Sequence, residues 1–144
     1  NGYTSRALHA DGVKLRVVYI EDNASNLRMV VRILEATGHY EVLTAPDGET
    51  GLALVERTLP ALVLVDLDVP EVNGFEVTRK IKGSSDPAVA RIPVAAISAN
   101  VLANERAASL TAGAVAFIET PFDIHAFRKQ IAELIESAGE GGAS

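Results

Sequence analysis

Apolar positions along this chain switch repeatedly between a strand-like run and a helical period. Val17-Val18-Tyr19-Ile20 is a short β-branched and aromatic run that stops at Glu21-Asp22-Asn23. Leu27, Val30, Val31 and Leu34 then recur at i, i+3, i+4 and i+7, which predicts an amphipathic helix closed near Gly38. Tyr40 to Thr44 reads as a second strand. Pro46-Asp47-Gly48 makes a turn, with Asp47 placed to cap a helix running to about Thr58. Ala61-Leu62-Val63-Leu64-Val65 is apolar at every position and ends at Asp66. A strand with no polar side is one buried on both faces, as in a parallel sheet. Val69 to Gly74 is turn-rich and leads into a short helix ending near Lys82, and Gly83 to Arg91 reads as a loop. Pro93 to Ile97 is a fourth buried strand ending at Ser98. Val101 to Ala112 reads as a helix closed by Gly113, and Ala114 to Ile118 as a fifth strand. Phe127, Ile131, Leu134 and Ile135 form the stripe of a last helix.

Five strands alternating with five helices predict right-handed β–α–β crossovers, hence an α/β fold with a doubly wound five-stranded parallel sheet. Residues 14–137 form one domain, between tails over 1–13 and 138–144 that are expected to be flexible. No internal repeat or interdomain linker breaks the pattern.

The 144 residues suit a single domain, and 48% apolar with 22% charged is a composition able to bury a core. The net charge of −6 argues against broad contact with a nucleic-acid backbone. Apolar runs such as Ala61–Val65 are too short for a bilayer, and no basic-then-apolar segment opens the chain. The expected setting is cytoplasmic, away from nucleic acid and membrane. There is no cysteine, so thiolate chemistry is excluded, and His9, His39 and His125 are too scattered for a metal role.

The polar exceptions carry the chemistry. In open α/β sheets ligands bind beyond the carboxyl ends of the strands. Glu21 and Asp22 end the first strand, Asp66 the third and Ser98 the fourth, while Thr120 follows the fifth. Carboxylates gathered at one edge repel unless protonated or neutralised by a cation. An all-oxygen set favours a hard ion such as Mg²⁺. Asp66 could then act as a nucleophile forming an acyl phosphate, with the Ser98 hydroxyl donating to a phosphoryl oxygen. Taken alone, each piece has a plainer reading. Glu21-Asp22-Asn23 could be a helix N-terminus, Asp66 a turn residue, Phe117 a core residue, and Arg79, Lys80 and Lys82 a solvated helix face.

Taken together the pieces resemble the receiver domains of two-component response regulators, from about Leu15 through Glu136. The similar segments are Tyr19-Ile20-Glu21-Asp22-Asn23, then Val65-Asp66-Leu67-Asp68-Val69-Pro70 with Asn73-Gly74, then Ile97-Ser98-Ala99. Gly113-Ala114, Phe117 and Thr120-Pro121-Phe122 complete the set. The resemblance implies a flavodoxin-like sheet of order 2-1-3-4-5. It implies Mg²⁺ held by Asp22, Asp66 and the main-chain carbonyl of Asp68, with Glu21 assisting through water. It implies a phosphoryl group transferred to Asp66 from a sensor histidine kinase or phosphotransfer protein. Ser98 and Phe117 would shift together on phosphorylation. The face made by the fourth predicted helix, the fifth strand and the last helix would serve a homodimer or a downstream protein. Such a chain is a self-phosphoaccepting signalling domain with at most slow autodephosphorylation, not an enzyme acting on a separate substrate.

One departure matters. The family places a lysine before the last proline, where this chain has Thr120. A lost charge-assisted hydrogen bond is worth about 1.5–3 kcal/mol, so a damped switch is expected. A pseudo-receiver, docking partners without phosphorylation, is the alternative. A haloacid-dehalogenase-type phosphatase is disfavoured. Its Asp-x-Asp motif belongs on the first core strand and needs a later lysine, whereas here no lysine lies between Lys82 and Lys129.

Overall fold

A computed structural model describes residues 14–67, 74–98, 113–119 and 123–143. In chain order the elements are β1 (Leu15–Ile20), α1 (Ala24–Glu35), β2 (Tyr40–Ala45), α2 (Gly48–Thr58) and β3 (Leu62–Asp66). They continue with α3 (Gly74–Lys82), α4 (Pro87–Ala90), β4 (Val94–Ser98), β5 (Ala116–Glu119) and α5 (Ile124–Ala143). The strands form one sheet of order β2-β1-β3-β4-β5, and every neighbouring pair is parallel. This is the doubly wound sheet the sequence predicts.

Strand alternation divides the core between the two faces of the sheet. Val17, Tyr19, Leu62, Leu64, Ala95, Ile97 and Ile118 pack with Val30, Ile33 and Leu34 of α1 and Phe127, Ile131 and Ile135 of α5. Val18, Ile20, Val63, Val65 and Val94 face the other way, against Val55 of α2 and Val77 and Ile81 of α3. β3 is central and buried throughout up to Val65, so its apolar run reflects burial on both sides.

The helix starts follow from their caps. The Asn23 side chain accepts from the Asn26 N–H at 3.0 Å, and the Asp47 side chain from the Thr50 N–H at 2.7 Å. Two glycines mark close approaches. A Cβ on Gly51 would fall on the Ile20 side chain, so α2 packs directly on β1. A Cβ on Gly74 would lie 2.7 Å from Leu67 Cα and 2.8 Å from the Asp66 carbonyl oxygen.

Three features differ from expectation, and the end of α2 shows a detail on which the sequence pattern is silent. Gly83–Arg91 is not wholly loop, because Asp86 caps the one-turn α4 and Pro87 sits in its first turn, where a missing N–H costs nothing. Lys82 is not on a solvated face. It is half-buried, and its ammonium donates to the carbonyls of Ala90 at 3.2 Å and Ile92 at 2.6 Å. Burial lowers its pKa. Leu59 closes α2 with a left-handed backbone (φ 48°) and a 46% exposed side chain. The following Pro60 disfavours helical backbone at Leu59. Finally, α5 runs to Ala143, through most of the segment expected to be a flexible tail, since elongation needs no new nucleus. The helix predicted over 101–112 and the tail over 1–13 lie outside the described residues.

Candidate functional site

The carboxyl ends of β1, β3 and β4 bring the predicted groups to one edge. Ile20 pairs with Val65, and Asp66 with Ile97, so Glu21 follows the β1 partner of Val65 while Ser98 follows the β4 partner of Asp66. Asp66 is half-buried, Ser98 is buried, and Asp22 is exposed. Register also sorts them by face. Asp66 follows the parity of Tyr19, Leu64 and Ile97, on the α1–α5 side. Ser98 shares the opposite parity with Ala96 and with Phe117, which pairs with Ala96 across β4 and β5. Phe117 is half-buried.

Glu21 is 2% exposed, and a buried carboxylate needs compensation. Four donors supply it. Oε1 accepts from the Tyr19 hydroxyl at 3.1 Å and from Asn26 Nδ2 at 3.0 Å. Oε2 accepts from the main-chain N–H groups of Asp22 at 3.1 Å and Asn23 at 3.3 Å. Tyr19 answers to the same charges. Burial pushes its phenol up first, then the neighbouring Glu21 charge and the hydrogen bond to it, and then the charge of Asp66. The phenol thus stays a donor, within electrostatic reach of both acids. Tyr19 and Asn26 went unnoticed as site residues in the sequence. The signal was present, since residues two apart along a strand share a face.

Among the described residues, no three His, Asp or Glu side chains are grouped to hold a metal ion. Glu21, which the resemblance expects to assist a bound ion through water, accepts hydrogen bonds from four donors of its own chain. The remaining oxygen donors still suit a hard cation. Mg²⁺ takes one or two carboxylates and keeps several waters, which matches Asp22 and Asp66. Asp68, whose carbonyl was expected as a ligand, and Thr120 both lie outside the described residues.

The family model for the response regulator receiver domain matches residues 17–132. The chain belongs to this family. Two curated relatives are similar to this receiver domain. The response regulator PleD of Caulobacter vibrioides is 39% identical over 108 residues, covering 75% of this chain and 23% of PleD. The polar-differentiation response regulator DivK of Brucella anthropi is 31% identical over 122 residues, covering 85% of this chain and 97% of DivK. The chain thus spans about a quarter of the one relative and nearly all of the other. Among solved structures, a receiver domain protein of Methanospirillum hungatei superimposes with a TM-score of 0.80 at 25% identity, covering 90% of this chain and 99% of that one. The receiver domain of a sensor histidine kinase of Pseudomonas aeruginosa gives 0.77 at 26% identity, covering 85% and 98%, and has a magnesium ion coordinated in its active site cleft. No helix among the described residues of this receiver domain is long and apolar enough to cross a membrane.

Proposed function

We propose that this receiver domain accepts a phosphoryl group on Asp66 from a phosphohistidine of a sensor kinase or phosphotransfer protein in the cytoplasm. The observation that carries this reading is the placement of Asp66. It is the half-buried carboxylate at the end of the central strand, with buried Glu21 just past the end of β1 on one side and buried Ser98 at the end of β4 on the other.

A carboxylate oxygen of Asp66 attacks phosphorus, the P–N bond of the donor breaks, and its electron pair leaves on the imidazole nitrogen. Asp22 and Asp66 would hold Mg²⁺, which offsets charge on the transferred group. The Ser98 hydroxyl donates to a phosphoryl oxygen. Its shared parity with Phe117 gives the event a route to β5, and from there to a homodimer or downstream protein at the face including β5 and α5. Thr120 supplies a hydroxyl where the family has an ammonium, so phosphorylation proceeds with a damped switch.

The test is the intact mass after acetyl phosphate and Mg²⁺. One added phosphoryl group is expected, absent in Asp66→Asn. An unmodified wild-type protein that also fails to bind beryllofluoride refutes the reading. The position of Thr120 favours one second reading, a pseudo-receiver that docks partners without phosphorylation, and calorimetry showing no Mg²⁺ uptake would support it.

A further inference from the structure

Glu21 directly follows the register pair Ile20–Val65, as Asp66 does on β3, yet its hydrogen-bonding capacity is fully used. A carboxylate offers about four lone-pair positions, two on each oxygen. Tyr19 and Asn26 occupy those of Oε1, and the N–H groups of Asp22 and Asn23 occupy those of Oε2. The two main-chain donors come with the turn after β1. The two side-chain donors are choices of sequence. Tyr19 is fixed in the core at 1% exposure, and Asn26 reaches in from the first turn of α1.

We propose that Tyr19 and Asn26 are positioning residues that keep Glu21 from direct contact with a bound cation, and so set a preference for Mg²⁺ over Ca²⁺. The inference rests on the proposed reading of this edge as a divalent-cation site. Mg²⁺ is satisfied by one or two carboxylates and retained water in a tight octahedron, whereas Ca²⁺ takes about six to eight oxygens in a looser shell. A third carboxylate free to swing inward serves the larger ion more than the smaller. With both Oε1 donors in place Glu21 contributes its field alone. Without them it gains a free oxygen beside Asp22 and Asp66.

The experiment titrates Mg²⁺ and Ca²⁺ separately into the whole chain by calorimetry, for the wild type, Tyr19→Phe, Asn26→Ala and the double variant. Each lost donor should raise Ca²⁺ affinity relative to Mg²⁺ by about fivefold, the equivalent of one hydrogen bond. Asn26 is exposed, so its variant keeps the fold even if Tyr19→Phe does not. A purely structural role would weaken both ions together and leave the ratio unchanged, which overturns the proposal. If the wild type binds neither ion, the cation-site reading fails and takes this inference with it. If it binds Mg²⁺ and the ratio does not move, this inference alone fails.

Discussion

Gly74→Ala is the most informative single substitution, because it touches Asp66, the proposed phosphoacceptor, through the backbone alone. The new Cβ would meet Leu67 Cα at 2.7 Å, the Asp66 carbonyl oxygen at 2.8 Å and Leu67 Cδ2 at 2.9 Å. Ordinary carbon contacts are about 3.5–4.0 Å, so the shortfall is most of an ångström. Two of the three obstructing atoms are main chain and cannot rotate away. Either α3 retreats or the end of β3 moves, and the Gly74 N–H bond to the Leu67 carbonyl at 3.3 Å joins the two. Overpacking of this kind costs about 1–3 kcal/mol. Alanine returns up to about 1 kcal/mol through helix propensity. A net loss of about 1 kcal/mol is expected, a fall in Tm of roughly 4 °C. The effect on chemistry should be larger. Displacing a reacting group by about 1 Å can cost on the order of 100-fold in rate. Thermal unfolding and the initial rate of Asp66 phosphorylation by acetyl phosphate, measured on the same preparation, separate the two. A variant with wild-type Tm and a rate within about twofold of wild type would refute the close contact of α3 with β3.

Two further predictions concern stability. Burial raises the phenols of Tyr19 and Tyr40, and nearby Glu21 and Glu136 respectively add to it, so both hold their protons in the folded state above the ordinary value of 10.0. The unfolded chain loses those protons first. The contribution is therefore complete below pH 10 and declines above it, by about 1.4 kcal/mol per pH unit for each phenol. Urea unfolding between pH 9 and 11 should show Tyr19→Phe and Tyr40→Phe each with a shallower decline than wild type, and equal slopes would contradict the burial. Arg128 donates from Nε at 3.1 Å and Nη2 at 3.0 Å to the Ile33 carbonyl, tying α5 to the last turn of α1. Arg128→Met keeps the stem and loses both bonds, so the urea midpoint should fall by the equivalent of about 1.5–3 kcal/mol at unchanged m.

The parts of the structure legible in the sequence are those set by alternation and by local end signals. Ala61–Val65 announced a strand buried on both faces, and the carboxyl-edge acids followed from where the apolar runs stopped. Asp47 was legible as a cap because its bond to Thr50 is local. Other features depend on partners that no local rule reaches. The Lys82 ammonium meets carbonyls eight and ten residues further on, so its helix looked solvated. The closeness of Gly74 to β3 depends on how α3 seats on the sheet. The cap and proline at Asp86-Pro87 were a readable helix start that the polar surroundings obscured.

Glu21 and Asp22 show how much one step of the backbone decides. They are adjacent acids at the end of the same strand, and composition cannot tell them apart. Glu21 lies two residues beyond Tyr19 and so continues the face that points into the α1–α5 core, where the phenol waits. Its charge is buried and must be answered by donors. Asp22 points out of that core, is exposed, and keeps its oxygens for an ion or for water. The proposed division of labour, Glu21 as a fixed charge and Asp22 as a metal ligand, would thus follow from strand parity before any metal is considered. Exchanging the pair, Glu21→Asp with Asp22→Glu, preserves the net charge but leaves the shorter buried carboxylate short of the Tyr19 hydroxyl. That exchange should lower both Tm and Mg²⁺ affinity. A double variant matching the wild type in both would show that the charge at this edge matters and its placement does not.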